Sequence, residues 1–175
     1  MSPRKRALIV VDMLNDFLSP EGTLYLGQPG RDIIPAVREL ILDARARKDP
    51  VIFARDSHRP DDLEFRMFPP HCVESTDGAS LIPELAMQDG DYSVTKRRYD
   101  AFFGTELDLI LREEGIDQLD LCGVCTNICI LYTAACARNL AYEVNVHENA
   151  VAGTSAHAHE WALSEMENTL GCRRA

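Results

Sequence analysis

Several things are missing from this 175-residue chain, and each absence excludes something. No apolar run approaches the roughly 20 residues that span a bilayer, so no transmembrane helix is expected. Arg4, Lys5 and Arg6 make the start basic, but the stretch Ala7–Val11 that follows stops at Asp12 and is too short for a signal-peptide core. A cytoplasmic protein is the simplest expectation. Positive charge is scarce: 18 Lys and Arg face 28 Asp and Glu, a net charge of −10. That balance argues against nucleic acid and anionic membrane surfaces, which want a basic face. A disulfide framework is not expected either, so Cys72, Cys122, Cys125, Cys129, Cys136 and Cys172 read as thiols. There is no internal repeat, low-complexity tract or linker, and residues 1–175 are expected to form one domain with a sizeable core.

What is present is an alternation of short apolar runs and helical patterns. Strands are expected at Arg6–Asp12, Pro50–Asp56, Tyr92–Lys96, Leu119–Cys122 and Tyr142–Val146. Helices are expected from Asp32, as a cap, to about Lys48, then near Leu81–Met87, over Thr105–Glu114, Thr126–Asn139 and His157–Asn168. Met13–Gly30 and Ser57–Ser80 read as loops, and a loop as long as the second is usually functional or disordered. The alternation gives an α/β fold, a three-layer α/β/α arrangement around a mostly parallel, Rossmann-like doubly wound sheet. Ligands bind such sheets beyond the C-terminal strand ends. Asp12, Asp56, Lys96 and the turn Gly123–Cys129 all lie at such ends.

The segment LDLCGVCTNICILYT (Leu119–Thr133) carries the most chemistry. Its strand breaks at Gly123, and Cys129 falls in the first turn of the following helix. Unpaired N–H groups there favour a thiolate and can stabilise an oxyanion. A nucleophilic Cys129 needs a base and a positive neighbour, which Asp12 and Lys96 supply. The alternatives stay open at this point: Cys129 as a small buried hydrophobe, and Asp12 with Lys96 as a structural ion pair. Cys122, Cys125 and Cys129 fit a metal cluster poorly, because Cys122 is inside a strand and no fourth cysteine follows at a suitable distance.

The loop Asp56-Ser57-His58…Glu64…Pro69-Pro70-His71 forms a second constellation. Asp-x-His on an extended segment points two ligands the same way, and two prolines fix His71. Two imidazoles with one or two carboxylates suit one divalent ion, Zn²⁺, Mn²⁺ or Fe²⁺. Solvated histidines on a charged face, with Asp61, Asp62 and Glu64, are the alternative. Phe65, Phe68, Tyr99, Phe102 and Phe103 could wall a pocket for a flat ring or be ordinary core. His147, His157 and His159 have no partners at a telling spacing.

The chain resembles the isochorismatase-like cysteine hydrolase superfamily over essentially its whole length. ALIVVDMLNDF (Ala7–Phe17), VIFARDSH (Val51–His58), TKRRYDAFFGTEL (Thr95–Leu107) and CGVCTNICI (Cys122–Ile130) carry the resemblance, in order and spacing. Asp56-Ser57-His58 with Phe68-Pro69-Pro70-His71-Cys72 is similar to nicotinamidases. The resemblance implies a catalytic triad of Asp12, Lys96 and Cys129, and a divalent ion on Asp56, His58, His71 and Glu64, with Asp62 the weaker fourth candidate. It also implies a cis peptide between Val124 and Cys125, and an oxyanion hole from the amides of Cys125 and Cys129. Phe17, Phe68 and Tyr99 would wall the substrate ring. Arg97 and Arg98, which follow the lysine, are expected to favour an anionic group on the substrate, and the closing strand looks short at Gly171–Ala175.

The activity implied is hydrolysis of a small amide, nicotinamide to nicotinate and ammonia, through a thioester, as in NAD salvage. The metal would hold the pyridine nitrogen. Rival expectations are a metal-free hydrolase of an N-carbamoyl or ureido compound, an isochorismatase-like hydrolase, and a non-catalytic thiol redox sensor. A homo-oligomer is expected, because helices of such domains often bury faces against copies. Cys125 stands where the family usually has Ala or Val.

Overall fold

The central strand β1 (Arg6–Val11) is RALIVV, apolar at five successive positions, as a strand covered on both faces must be. Around it the structure, a computed structural model describing residues 5–175, builds a six-stranded sheet. The other strands are β2 (Val51–Asp56), β3 (Tyr92–Lys96), β4 (Gln118–Val124), β5 (Glu143–Ala152) and β6 (Arg173–Arg174), in spatial order β3-β2-β1-β4-β5-β6. Every pairing is parallel, so the expectation of a mostly parallel sheet sharpens to a wholly parallel one. The short closing strand survives as the two residues of β6. Residues 1–4, with Arg4 of the basic start, lie outside the described residues, in which no helix is long and apolar enough to cross a membrane.

Two cores sandwich the sheet. On one face α3 (Ile34–Arg47) packs Ile34, Val37, Ile41 and Ala44 against Leu8, Val10 and Phe53. On the other, α4 (Leu107–Glu113), α5 (Leu131–Asn139) and α6 (Ala156–Asn168) cover Ile9, Leu119, Leu121 and Val146.

Several expected boundaries move, for local reasons. The 13–30 loop contains two helical turns, α1 (Asn15–Leu18) and α2 (Gln28–Asp32). Asp32 therefore ends α2 instead of capping α3, and its carboxylate accepts from Gln28 Nε2 at 2.7 Å. Leu81–Met87 forms no helix; Leu81 makes an isolated bridge with Leu14. The helix expected from Thr105 starts at Leu107 with Glu106 at its N-cap, so Thr105 lies one residue before the cap, its Oγ1 accepting from the Leu107 amide at 3.2 Å. Strand β4 does not break at Gly123 but runs through it to Val124. Gly123 has φ 112°, and a Cβ there would lie 2.0 Å from the Val11 carbonyl oxygen, so only glycine lets β1 and β4 approach this closely. The segment Thr126–Ile130 is a π-helical turn leading into α5, and β5 extends six residues past Val146.

Strand order reverses between β1 and β4, because β2 and β3 lie on one side of β1 and β4 to β6 on the other. The crevice of an open parallel sheet lies beyond the carboxyl ends at such a switch point. Asp12 follows β1 there, and Cys125 follows β4.

Candidate active site

Asp12 leaves β1 in the left-handed region, at φ 52°, a conformation aspartate tolerates better than most side chains. Its Oδ1 accepts from the Asp56 amide at 2.8 Å, fixing the carboxylate over the end of β2. Lys96 closes β3 beside Asp56, its register partner. The Lys96 ammonium lies 2.8 Å from Asp12 Oδ2, 2.6 Å from Asp56 Oδ1 and 3.4 Å from Cys129 Sγ. The side chain is fully buried, hydrogen-bonded to Asp56 and Cys129 and ion-paired with Asp12, whose Oδ2 has no hydrogen-bond partner. Asp12, Asp56 and Cys129 bring ligand-type atoms within 4.8 Å of one another, and the cation among them is the ammonium.

Cys129 lies on the π-helical turn after β4, and the peptide between Val124 and Cys125 is cis, as the resemblance implies. The Cys125 carbonyl accepts the amides of Ile128 at 3.0 Å and Ile130 at 3.2 Å. Cys129 itself is buried. Burial pushes its pKa well up, and the nearby charges of Asp12 and Asp56 add to this against Lys96. Asp12 is raised to about 6, by burial first and the Asp56 charge second, with Lys96 opposing. Burial opposes the charge on Lys96, but Asp12 and Asp56 prevail and hold it protonated. Asp12, Lys96 and Cys129 thus form one buried cluster in which the charge of each bears on the other two.

Asp56 joins this trio to the second constellation. While Oδ1 faces Lys96, Oδ2 lies 3.7 Å from His58 Nε2 and 3.9 Å from His71 Nε2. His71 donates Nδ1–H to the Pro69 carbonyl at 2.9 Å, which leaves Nε2 as the lone-pair nitrogen facing the cluster. The Cys72 amide donates to Asp16 Oδ2 at 2.6 Å, and an isolated bridge ties His58 to Val73. Glu64 Oε1 is 4.0 Å from His71 Nε2, just outside the tighter set of Asp56, His58 and His71. Asp62 turns the other way: it contacts His58 Nδ1 at 3.3 Å, accepts from the Glu64 amide and pairs with Arg98 Nη1 at 2.9 Å. Although burial works against its charge, these donors lower its pKa to about 2.

The residues present fit a divalent ion. Both His58 nitrogens are buried without a hydrogen-bond partner, an orphaned pair that asks for an explanation. Four carboxylates, Asp12, Asp56, Asp62 and Glu64, crowd this region, with Lys96 and Arg98 the lysine and arginine paired to them. The expectation that Arg98 would attract an anionic substrate is corrected, because Asp62 engages it; Arg97 is exposed and lines no part of the cavity.

Between the two constellations opens a cavity of about 130 Å³. Asp12, Asp56, Glu64, His71, Cys125 and Cys129 line it on the chemical side. Phe17, Phe68 and Tyr99 wall it as expected, joined by Leu24, Leu26, Ile128 and Thr154, which no sequence periodicity marked. Phe65 packs on both imidazoles, 5.4 Å from His58 and 5.7 Å from His71. Phe102 instead stacks on Tyr142 in the core, and Phe103 is exposed. His159 does find a partner, Thr126 Oγ1 at 2.9 Å, and His147 pairs with Asp120 at 3.2 Å.

Known proteins share this arrangement of chain. A nicotinamidase/pyrazinamidase of Bacillus subtilis superposes with a TM-score of 0.94 at 40% identity, covering 98% of this chain and 99% of that one. An N-carbamoylsarcosine amidase of Thermoplasma acidophilum gives 0.89 at 35% identity, over 97% and 95%. A pyrazinamidase of Pyrococcus horikoshii, solved in complex with zinc, gives 0.91 at 33% identity, over 98% of both chains. The model of the isochorismatase domain matches residues 6–172. With that match spanning almost the whole sheet, the chain belongs to the isochorismatase family of hydrolases, in its nicotinamidase-like branch.

Proposed function

We propose that this protein is a metal-containing cysteine amidohydrolase of a small neutral aromatic amide, with nicotinamide as substrate and nicotinate and ammonia as products. The observation that carries the reading is the double use of Asp56. One oxygen holds the ammonium that touches Cys129, and the other faces two buried histidine nitrogens, so nucleophile and cation cradle share one small cavity. The reading takes residues 1–175 as one domain, cytoplasmic, with reduced thiols, assembled as a homo-oligomer.

In this mechanism Asp12 takes the proton from Cys129 as Sγ attacks the amide carbon. Lys96 stays protonated and balances the charge that moves between sulfur and carboxylate. The amide N–H groups of Cys125 and Cys129 hold the oxyanion. Asp12 then gives its proton to the leaving ammonia. Water opens the thioester with Asp12 again as base, releasing the acid and restoring the thiol. Asp56, His58, His71 and Glu64 would hold the divalent ion, Zn²⁺, Mn²⁺ or Fe²⁺, which when bound supplies a Lewis-acid anchor for a ring nitrogen. Phe17, Phe68 and Tyr99 clamp the ring and exclude water.

A second reading, hydrolysis of an N-carbamoyl compound, is favoured by the likeness to the N-carbamoylsarcosine amidase. The lining argues against it: among the described residues no Arg or Lys lines the cavity to pair with a carboxylate, and Asp56 and Glu64 would repel one. An ammonia-release assay with nicotinamide and several carbamoyl amino acids, with and without chelator, separates the two. Nicotinamide should be turned over in the absence of chelator only, and the carbamoyl compounds hardly at all. Chelator-insensitive turnover of a carbamoyl acid would overturn the proposal.

A further inference from the structure

The turn that carries Cys125 and Cys129 is gripped from a different element, the junction of β5 and α6. Thr126, fully buried and next to Cys125, has its Oγ1 2.9 Å from His159 Nδ1 in the second turn of α6. Asn127, the next residue, makes a two-way clasp: its Nδ2 donates to Thr154 Oγ1 and its Oδ1 accepts from the Thr154 amide, both at 3.0 Å. Between them sits Gly153, where a Cβ would lie 2.9 Å from Asn127 Oδ1 and 3.0 Å from His159 Cβ; the clasp closes because that position has no side chain. Ser155 caps α6 by accepting from the Ala158 amide at 3.1 Å, which fixes the helix carrying His159. Thr154 also lines the cavity beside Cys125 and Cys129.

We infer that Thr126–His159 and Asn127–Thr154 form a latch that sets the direction of the Cys125 and Cys129 amides toward the developing oxyanion, making His159, Thr126 and Asn127 positioning residues for the reaction. In this π-helical turn the Cys125 carbonyl takes the Ile130 amide five residues on, so the turn departs from the regular helical ladder. Oxyanion stabilisation depends on the donors being aimed before charge appears, so misalignment is felt in the transition state more than in the bound substrate. Two side-chain anchors on consecutive residues, from an element the substrate does not displace, supply that aim. Neither anchor touches the reacting atoms.

The inference rests on the amidohydrolase reading, and the test separates the two. Thr126→Val keeps the volume of a buried side chain and removes its hydroxyl, Thr126→Ser restores the hydroxyl, and His159→Ala removes the partner. His157→Ala, an exposed histidine on the same helix, is the control. The readouts are kcat and KM for nicotinamide, and the inhibition constant of the corresponding aldehyde. That aldehyde adds Cys129 Sγ to its carbonyl carbon, with the thiol proton passing through Asp12 to the hemithioacetal oxygen in the proposed oxyanion hole. Thr126→Val and His159→Ala should each lower kcat by about tenfold to a hundredfold, the scale of a small misplacement. They should weaken aldehyde binding in parallel and leave KM within about twofold, while Thr126→Ser and His157→Ala stay near wild type. The inference is overturned if kcat and aldehyde affinity stay within twofold of wild type. It is equally overturned if KM, kcat and melting temperature deteriorate together without rescue by serine, which marks a purely structural contact. Wild type inert toward every amide would instead remove the underlying reading.

Discussion

The two halves of the site are held in opposite ways. Asp12 directly follows β1, Lys96 closes β3 and Cys129 stands on the π-helical turn after β4, drawn together with Asp56 around the Lys96 ammonium. His58, Glu64 and His71 ride on the long connection between β2 and β3, tied by an isolated bridge at His58, the Asp16 bond to the Cys72 amide and the Asp62–Arg98 pair. The first half is electrostatically closed. The second is open, with both His58 nitrogens unpartnered and carboxylates crowded around it. A sheet can fix a reacting trio without help, whereas a loop that ends in an unsatisfied cluster needs a ligand to complete it.

The largest effect should come from the closed half. Cys129→Ala should lower kcat by about four orders of magnitude or more, the scale seen when a nucleophile is deleted. Its circular dichroism and metal content should match wild type, because the loop does not depend on the thiol. An alanine variant that still releases ammonia within tenfold of wild type removes Cys129 from the mechanism; one that loses its metal breaks the separation of the halves.

Metal removal probes the open half. At about a thousandfold excess over its Kd, a ligand that binds only the folded state adds about 4 kcal/mol. For a chain of this size that corresponds to a melting-point rise of about 8–16 °C. Wild type loaded with Zn²⁺ or Mn²⁺ should therefore melt higher than chelated protein, by an amount that vanishes in His58→Ala/His71→Ala. Hydrogen exchange should show the stripped protein losing protection across residues 57–80 while β1 and β4 keep theirs. Loss spread evenly over the sheet would mean that the two regions are not held independently.

The same contrast explains what was legible in the sequence. Asp12, Asp56 and Lys96 could be placed together because each terminates or directly follows a strand, Cys129 because it sits on the turn after β4, and parallel strands put their ends on one rim. The neighbourhood of the loop was legible only by residue type. Nothing periodic showed that Asp62 would turn to Arg98 while Glu64 turned to His71, since a single-turn 3₁₀ segment, Leu63–Arg66, separates their directions. Asp16 was missed for the same reason: its partner, the Cys72 amide, is 56 residues away on the loop. His159 lacked a telling spacing because its partner sits in a π-helical turn, which shifts the side chains out of the 3.6-residue register that sequence patterns assume. For Cys129 a helix-start argument favours the thiolate, but it omits the burial of the sulfur and the two carboxylates that the folded rim brings beside it, both of which oppose that charge.

The smallest predicted effect sharpens the boundary between the halves. Arg98 lies two residues beyond Lys96, yet its contacts belong to the loop: Asp62 Oδ1 at 2.9 Å and Glu64 Oε2 at 3.9 Å. Asp62 in turn approaches His58 Nδ1, so Arg98 acts on the cradle at one remove. The guanidinium is 39% exposed, and its pairing with Asp62 is weakened by solvent accordingly. Arg98→Gln should therefore raise the metal Kd by about tenfold, the low end for partners that orient a ligand. It should leave kcat at saturating metal within about twofold, because Lys96 keeps Asp12, Asp56 and Cys129 as they are. Competition against a chromophoric chelator gives the first number and steady-state kinetics the second. An unchanged Kd would detach Arg98 from the cradle. A fall in kcat at full metal loading would show that the end of β3 serves both halves, and that the division between sheet and loop runs through Arg98 instead of beside it.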